Sequence, residues 1–292
     1  MSNGVIVLAI LTNGKFRVNT LLLKPNNEDE FAIQDYRGLH FLDLKISSPQ
    51  TKTTLISNTG VDGQQQQGPI LYDSRTATAN FFLETSDEID FEAKCHELYN
   101  KFFHRKLVRV RQSNDIARCF YGIAKPFDIT AIGYLDKTFS VEFDIPSAYL
   151  YSVARSSDFP IDTKKEPHVL SNNLNLPFED LNYTQHEGSF KIFNPSDFDI
   201  QPYEQNHELN IIFEGNGSPV LTNSDTGDIF QFNGSLINTD KLILKGVHPF
   251  LNGNACEINT NHGSINLQKG WNNFSLTGFT GTVTFDFPFI YL

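Results

Sequence analysis

The 292-residue sequence contains only three cysteines, and they lie far apart along the chain. Cys95, Cys119 and Cys256 are an odd number, and none has a second cysteine at the spacing of a metal motif. The eight histidines supply no pair at metal-ligand spacing either. Structural zinc requires clustered thiolates and imidazoles, and a disulfide framework requires paired thiols. We therefore expect no metal site, no disulfide framework and a reducing compartment.

Long hydrophobic runs are also missing from the sequence. A membrane-spanning helix needs about 18 apolar residues in succession, and no segment approaches that length. The short apolar run at residues 5–11 is a poor signal peptide, because no basic residue precedes it and no small-residue cleavage site follows it. The Asn13-Gly14 pair instead predicts a strand that enters a tight hairpin turn. We expect no membrane partner.

Basic residues are scarce in the second half of the chain, and arginine is absent after Arg155. Residues 1–165 carry 19 basic and 20 acidic residues, whereas residues 166–292 carry 4 and 14. Almost all of the net charge of −11 therefore belongs to the second half. An acidic surface repels a phosphate backbone, so we expect no specific nucleic-acid partner.

Catalytic motifs are missing as well. The sequence has no Gly-x-Ser-x-Gly elbow, no phosphate-binding loop and no dinucleotide fingerprint. Two carboxylates at a suitable separation could serve a glycosidase, but clustered carboxylates on an acidic domain are more often solvated surface charges. The cluster in question is Asp197, Asp199, Glu204 and Glu208. We expect no enzymatic activity and no cofactor.

The first half of the chain consists mainly of segments typical of β-strands, interrupted by one helical segment. The strand segments alternate polar and apolar residues or are rich in β-branched and aromatic residues. The helical segment places four apolar residues on one face: Phe91, Cys95, Leu98 and Phe102. Thr85 and Glu88 have the spacing of a capping box. Residues 1–157 are therefore predicted to form a β-sandwich-type domain with one α-helix.

The second half reads as a linker followed by a second β domain. Residues 158–185 contain Pro160, Pro167 and Pro177 with many asparagines, which is typical of a linker or a long crossover. Short strand segments then recur at intervals of roughly ten residues, separated by Asn, Gly and Asp turns. Residues 186–292 are therefore predicted to form an antiparallel β-sandwich.

A glutamine tract, residues 64–67, lies between Gly63 and Gly68 and precedes a strand that begins near Arg75. Such dense glutamine cannot fill a core, because each buried amide would need several hydrogen-bond partners. Two alternatives remain. The tract is either a solvent-exposed loop between two strands or a loop that becomes ordered only against another subunit.

The order of these features resembles the distal tail protein (Dit) family of long-tailed phages. The first half matches the N-terminal domain of that family through Thr59-Gly60, Asp62-Gly63, a variable polar loop, the Phe-rich strand after Arg75, the single helix, and the segments RVRQS and CFYGIAKPFDI. The second half resembles the family's galectin-like C-terminal domain. It does so through FKIFNPSDFDIQPYEQNHELNIIFEG, a Thr226-Gly227 turn, LQKGWNNFSLTG and a terminal Phe-rich strand.

This resemblance implies a structural role in the phage tail tip. Proteins of the family form a homo-hexameric ring between the last ring of the major tail tube protein and a hub that carries the tail-associated lysin or fibre. Their N-terminal domains make the ring, so the resemblance implies that residues 1–157 are the ring-forming domain here. DNA passes through the ring, and a receptor-binding protein is a further candidate partner. The resemblance thus implies a virion protein that is assembled in the host cytoplasm.

The resemblance also implies where subunits meet. The interface candidates are Gly60, Asp62, Gly63, Gln64, Gln65, Gln66, Gln67, Gly68, Arg75, Arg109 and Arg111. Arg109 and Arg111 alternate with valines, so both should lie on one face of a strand. The near-neutral charge of this half favours ion pairs for them, within or between subunits, over phosphate binding.

A carbohydrate-binding module that attaches to host cell-wall glycans is the alternative function. Galectin-like sandwiches can bind sugar, and an aromatic face beside amide donors suits a sugar site. The candidate contacts are Trp271, Asn272 and Asn273. The lack of arginine after Arg155 departs from the galectin site, and a fold does not by itself carry a function.

Overall fold

A computed structural model describes residues 19–26, 28–33, 38–161, 174–177, 179–186 and 188–292. The strand predicted at residues 5–11, and residues 162–173 of the predicted linker, lie outside this description. The chain divides into two compact units, residues 1–150 with Leu292 and residues 151–291. Within the described ranges, no helix has the length and apolar character that crossing a membrane requires.

Antiparallel strands form most of the first unit. In chain order they are β1 (Leu21–Lys24), β2 (Phe31–Ala32), β3 (Leu39–Ile46), β4 (Gln50–Ile56), β5 (Gln65–Asp73), β6 (Arg75–Glu84), β7 (Val108–Gln112), β8 (Asp115–Ala124), β9 (Thr130–Ala131) and β10 (Asp136–Ile145). The main sheet has the order β2-β1-β7-β8-β10-β6-β3, and β9 pairs with β10. Strands β4 and β5 form a separate two-stranded sheet.

The core of the first unit follows from the alternation along β6. Every second side chain of this strand is buried, including Ala77, Ala79 and Phe81. The strand pairs with β10 along its whole length, from Arg75 opposite Ile145 to Glu84 opposite Asp136. Because side chains in a strand alternate between faces, this pairing gathers the apolar residues of both strands on one side.

Helix α1 (Glu88–Phe102) packs against this apolar face. Cys95, Leu98 and Phe102 are buried, as their spacing predicted, while Phe91 is half-buried beneath the ammonium group of Lys137. The ring of Phe102 lies 5.5 Å from that of Phe81 on the sheet. The prediction of one amphipathic helix on a mostly β domain is confirmed.

The predicted capping box of α1 is wrong. Asp87, not Thr85, is the cap, and its carboxylate accepts a hydrogen bond of 2.8 Å from the backbone N–H of Asp90. The Thr85 hydroxyl instead donates to the carbonyl of Leu135. A carboxylate at the cap satisfies a backbone donor and interacts favourably with the positive end of the helix dipole.

The second unit is also built from antiparallel strands. They are β11 (Leu150–Arg155), which belongs to this unit from Tyr151 onward, β12 (Thr184–Gln185), β13 (Gly188–Asn194), β14 (Asn210–Asn223), β15 (Ile229–Gln231), β16 (Lys241–Lys245), β17 (His248–Leu251), β18 (Asn254–Ala255), β19 (Gly270–Asp286) and β20 (Pro288–Tyr291). The sheet order is β12-β19-β14-β16-β17-β18, with β13 on β19 and β15 on β14. Strand β20 pairs with β11. The predicted mostly β class is therefore confirmed for both units.

The long strands β14 and β19 pair closely at a pair of facing glycines. Gly215 lies opposite Gly281, with φ angles of +154° and +157°. A Cβ atom added to Gly215 would lie 2.3 Å from the carbonyl oxygen of Thr280, so no side chain fits there. Close backbone approach in a strand is a recognised use of glycine.

The described part of the predicted linker packs within the second unit. Leu174 and Tyr183 are buried, and the Tyr183 hydroxyl donates to the carbonyl of Phe193 at 2.8 Å. The Tyr291 hydroxyl donates to the carbonyl of Leu174 at 3.0 Å. The domain limits at residues 157 and 186 stay a prediction.

Candidate assembly interface

Strands β4 and β5 form a hairpin, residues 50–73, which we call the arm. The glutamine tract is predicted to be a loop, and this prediction is wrong for three of its residues. Gln65, Gln66 and Gln67 lie within β5, opposite Ile56, Leu55 and Thr54. Their backbone groups pair with β4 while their side chains remain exposed, which removes the need for buried amide partners. Gln64 and Asp62 precede β5 in the exposed turn of the arm.

The glycines around the tract have the backbone conformation that their residue type allows. Gly60, Gly63 and Gly68 have φ angles of +85°, +78° and +81°. The first two lie in the turn of the arm, and Gly68 lies where the pairing of β4 with β5 shifts register. A positive φ is strained for other residues, so these glycines permit the turn and the irregular pairing.

The arm exposes apolar side chains and strand edges. Every residue of β4 and all of β5 except Tyr72 are exposed, and Leu55 and Leu71 retain 51% and 41% of their accessible surface. Val61 and Ile70 are also exposed. A two-stranded hairpin is marginally stable on its own in water, and its outer edges leave backbone groups available for pairing. The arm therefore has the properties of a segment that binds another chain.

Arg75 lies directly after the arm, at the first position of β6. Its side chain is buried, with 6% exposed, and Nη1 donates to the carbonyl of Ala148 at 3.4 Å. Nε has no hydrogen-bond partner among the described residues. Burial lowers the pKa of this guanidinium. The side chain of Arg75 thus lies inside the unit, whereas the arm that precedes it is exposed.

Arg109 and Arg111 lie on the same face of β7 and share one carboxylate, that of Glu30. Arg109 donates from Nη2 to Oε1 of Glu30 at 3.0 Å, and Arg111 donates from Nε to the same oxygen at 2.8 Å. Arg111 also pairs with Oε2 and donates from Nη1 to the carbonyl of Ile116. The sequence allowed Arg109 and Arg111 to form ion pairs either within or between subunits. The ion pairs with Glu30 lie within one subunit.

The two guanidinium groups set the protonation of Glu30. Burial by itself raises the pKa of this carboxyl, but the hydrogen bond and charge of Arg111, together with those of Arg109, lower its pKa below the ordinary value. Glu30 is therefore a carboxylate at neutral pH, and its charge contributes to the stability of the first unit.

We expect Glu30→Gln to lower the free energy of unfolding by about 1.5 to 3 kcal/mol at pH 7, the range for hydrogen bonds to charged groups. Since the folded pKa is lowered, this contribution is complete above the ordinary value of 4.5 and is lost as the pH falls through the folded pKa. Urea unfolding of both proteins at pH 7 and pH 3 checks the expectation, with exposed Glu28→Gln as the control. If the difference in the free energy of unfolding between wild type and Glu30→Gln were the same at both pH values, the expectation would be wrong.

The candidate sugar contacts in the second unit have partners within the unit. Asn272 is fully buried, and its amide bonds with Asn223, Gln268 and the carbonyl of Gly270. Asn273 donates to the carboxylate of Asp225. The ring of Trp271 lies 5.0 Å from that of Phe193. In the described ranges, no group of three or more His, Cys, Asp or Glu side chains is placed to hold a metal.

No local pattern in the sequence points to Glu30, because its partners lie 79 and 81 residues away. Strand β4 likewise lacks a sequence signal, because its threonine-rich segment has no clear alternation of apolar residues. Only pairing with β5 identifies it as a strand.

Comparison with known proteins gives one family match and several structural matches. Residues 34–145, which span β3 to β10 with the arm and α1, match the family described as the phage tail protein RIFT-related domain. No curated protein sequence matches the chain. The solved structure of the Dit protein of phage SPP1, described as a paradigm of the hub adsorption apparatus in phages that infect Gram-positive bacteria, aligns with a TM-score of 0.66 at 12% identity. The alignment covers 92% of this chain and 99% of that one.

Two structures of the phage P2 baseplate in its activated conformation also align, one with calcium and one with strontium. Their TM-scores are 0.47 and 0.44, each at 10% identity, and each alignment covers 93% of this chain and 98% of the other. At its level of identity, the match to the SPP1 protein shows a shared fold.

Proposed function

We propose that this chain, a phage tail protein with a RIFT-related tail domain at residues 34–145 and the fold of the distal tail proteins, forms a homo-hexameric ring. The ring joins the major tail tube protein to the tail-tip hub and leaves a passage for DNA. The protein acts by binding other tail proteins, and its place is the tail tip of the virion. The exposed arm is the observation that carries this proposal.

The arm supports assembly because it offers two kinds of contact that a single subunit does not use. Its apolar side chains, among them Leu55 and Leu71, gain from leaving water, and its strand edges can pair with another strand. In a closed head-to-tail ring the same contact recurs between every pair of neighbours. A marginally stable hairpin is thereby stabilised once per subunit.

The glutamine side chains add polar contacts to the same surface. In the single chain their partners are local. Gln66 donates to the carbonyl of Gly68 at 2.9 Å, and Gln65 accepts from the amide of Asn58 at 2.9 Å. Exposed amides can exchange such partners for groups on a neighbouring subunit, at about 0.5 to 1.5 kcal/mol for each hydrogen bond. Gln64 to Gln67 with Gly60, Asp62, Gly63 and Gly68 thus form the polar part of the proposed interface.

The remaining partners follow from the position of such a ring in the tail. One face meets the last ring of the tail tube, and the other meets the hub that carries a lysin or fibre, with a receptor-binding protein as a further partner. Residues 1–165, which contain the arm, carry a net charge of −1, so this half lacks the large excess of positive charge with which proteins hold a phosphate backbone.

We expect the double substitution Leu55→Asp and Leu71→Asp to leave the stability of the single subunit within about 0.5 kcal/mol, because both side chains are exposed. It should raise the midpoint concentration of self-association by at least about tenfold, because each new charge is desolvated at the interface. Native mass spectrometry and sedimentation across a dilution series check both the hexamer and the shift.

The control for this experiment is Ile89→Asp with Ile132→Asp. It introduces two negative charges at apolar positions outside the arm. The side chains of Ile89 and Ile132 are 83% and 66% exposed. An unchanged midpoint in the arm variant, or an equal shift in the control, would remove the arm from the interface. A wild-type chain that stays monomeric, both alone and with assembled tail tubes, would refute the ring.

A further inference from the structure

A groove lined mainly by basic and apolar side chains opens on the first unit. Its volume is about 610 Å³, and its lining residues are Lys24, Pro25, Asn26, Lys106, Leu107, Arg109 and Tyr121. Three of them lie in one row across neighbouring strands, since Lys24 of β1 is opposite Arg109 of β7, and Arg109 is opposite Tyr121 of β8. Adjacent strands are about 4.8 Å apart, so this row brings two cations and a phenol close together. We call it the basic groove.

The basic groove has an excess of positive charge. Among the described residues, neither Lys24 nor Lys106 forms an ion pair, and the one carboxylate that pairs with Arg109 is shared with Arg111. Lys125 of the same unit, by contrast, pairs with the carboxylates of Glu142 and Asp144 at 2.6 and 2.8 Å. Three converging cations repel one another, and an anion in the groove relieves that repulsion.

The apolar part of the lining indicates what kind of anion fits. Leu107 and the ring of Tyr121 offer apolar surface beside the cationic groups, and both side chains are about two-fifths exposed. Glutamate and aspartate side chains combine a carboxylate with an aliphatic stem, and a peptide that carries them can use both parts of the lining.

Nucleic acid fits the same surface less well. A phosphate backbone is bound by an extended basic track, whereas this groove is compact and belongs to a half of the chain with a net charge of −1. Glu28 and Asp29 are exposed on the loop that follows Asn26, and they would repel a phosphate chain that extended beyond the groove. A short acidic segment can end before it reaches them.

We propose that the basic groove binds a carboxylate-rich segment of another protein chain. The identification of the binding partner as another tail protein rests on the proposed function, but the binding of a carboxylate-rich segment does not. The groove is separate from the arm, because its lining comes from the loop after β1, the segment before β7, and β8.

Fluorescently labelled hexaglutamate, titrated with the full chain at 50 mM NaCl, tests the proposal. We expect saturable binding and no binding of hexaglutamine. Lys24→Ala with Lys106→Ala should weaken binding by about tenfold, because the variant loses two of the cations that pair with the carboxylates of the peptide. The matched control is Lys245→Ala with Lys269→Ala, which removes the same charge at exposed positions of the second unit and should change affinity less than about twofold.

Three results would overturn the proposal. They are the absence of saturable binding, an equal loss of affinity in both double variants, and a labelled DNA duplex that binds the groove more tightly than hexaglutamate does. Sedimentation of the same samples reports the oligomeric state separately. A chain that binds the peptide as a monomer supports the groove while counting against the ring, so the two proposals fail independently.

Discussion

Replacing Phe81 with Ala should lower the free energy of unfolding of the first unit by about 3 to 5 kcal/mol. Phe81 is fully buried, and its ring is stacked on that of Phe139 at 5.0 Å. It also contacts Phe102 of α1 at 5.5 Å and Phe41 of β3 at 5.7 Å. The substitution leaves a cavity where the helix and three strands meet, and it removes three aromatic contacts together.

Two spectroscopic signals can separate this effect from the rest of the chain. Trp271 is the only tryptophan and lies in the second unit, so its fluorescence follows that unit. Ellipticity at 222 nm includes the signal of α1, the α-helix of the described part of the first unit. In urea, the Phe81→Ala protein should lose the 222 nm signal early. The control Phe82→Ala, at a half-buried position on the opposite face of β6, should cause a smaller shift. Equal shifts would show that Phe81 is not at the centre of the core.

Replacing Leu98 with Ala should cost about 2 to 5 kcal/mol, measured through the same 222 nm transition. Leu98 is fully buried between α1 and the sheet, and a leucine-to-alanine change there leaves a cavity that the helix cannot close without moving. Glu97→Ala is the matched control, because it also introduces an alanine, but on the exposed face of the helix. It should stay within about 0.5 kcal/mol. Similar small losses for both variants would contradict the packing of α1.

The sequence was sufficient to predict α1 and most of the strands, because their signals are local. The steps of four, three and four between apolar residues require a helix whatever it packs on, and alternation along β6 requires a half-buried strand. The cap of α1 was not predictable in the same way. Thr85 and Asp87 are both good cap residues, and only the hydrogen bond of Thr85 to Leu135 decides between them.

The candidate sites depended on contacts that sequence patterns do not encode. The tract at residues 64–67 is polar throughout, so the strand conformation of residues 65–67 follows only from their pairing with β4. Asn272 has the chemistry of a sugar contact, yet the pairing of β14 with β19 brings Asn223 against it and buries it. Lys24 and Lys106 are far apart in the sequence, and the order of β1 and β7 brings them to one groove.

The pairing of β11 with β20 has a consequence for how the second unit folds. These strands are the first and the last of the unit, and Ser152 accepts a hydrogen bond from Phe289 across 137 residues. Ser156 likewise accepts from the backbone of Phe287 at 2.8 Å. Contacts between distant residues form slowly, because the intervening chain must first lose its conformational freedom. During synthesis, β11 therefore emerges from the ribosome long before β20, and these two strands cannot pair until the last strand of the unit has been made.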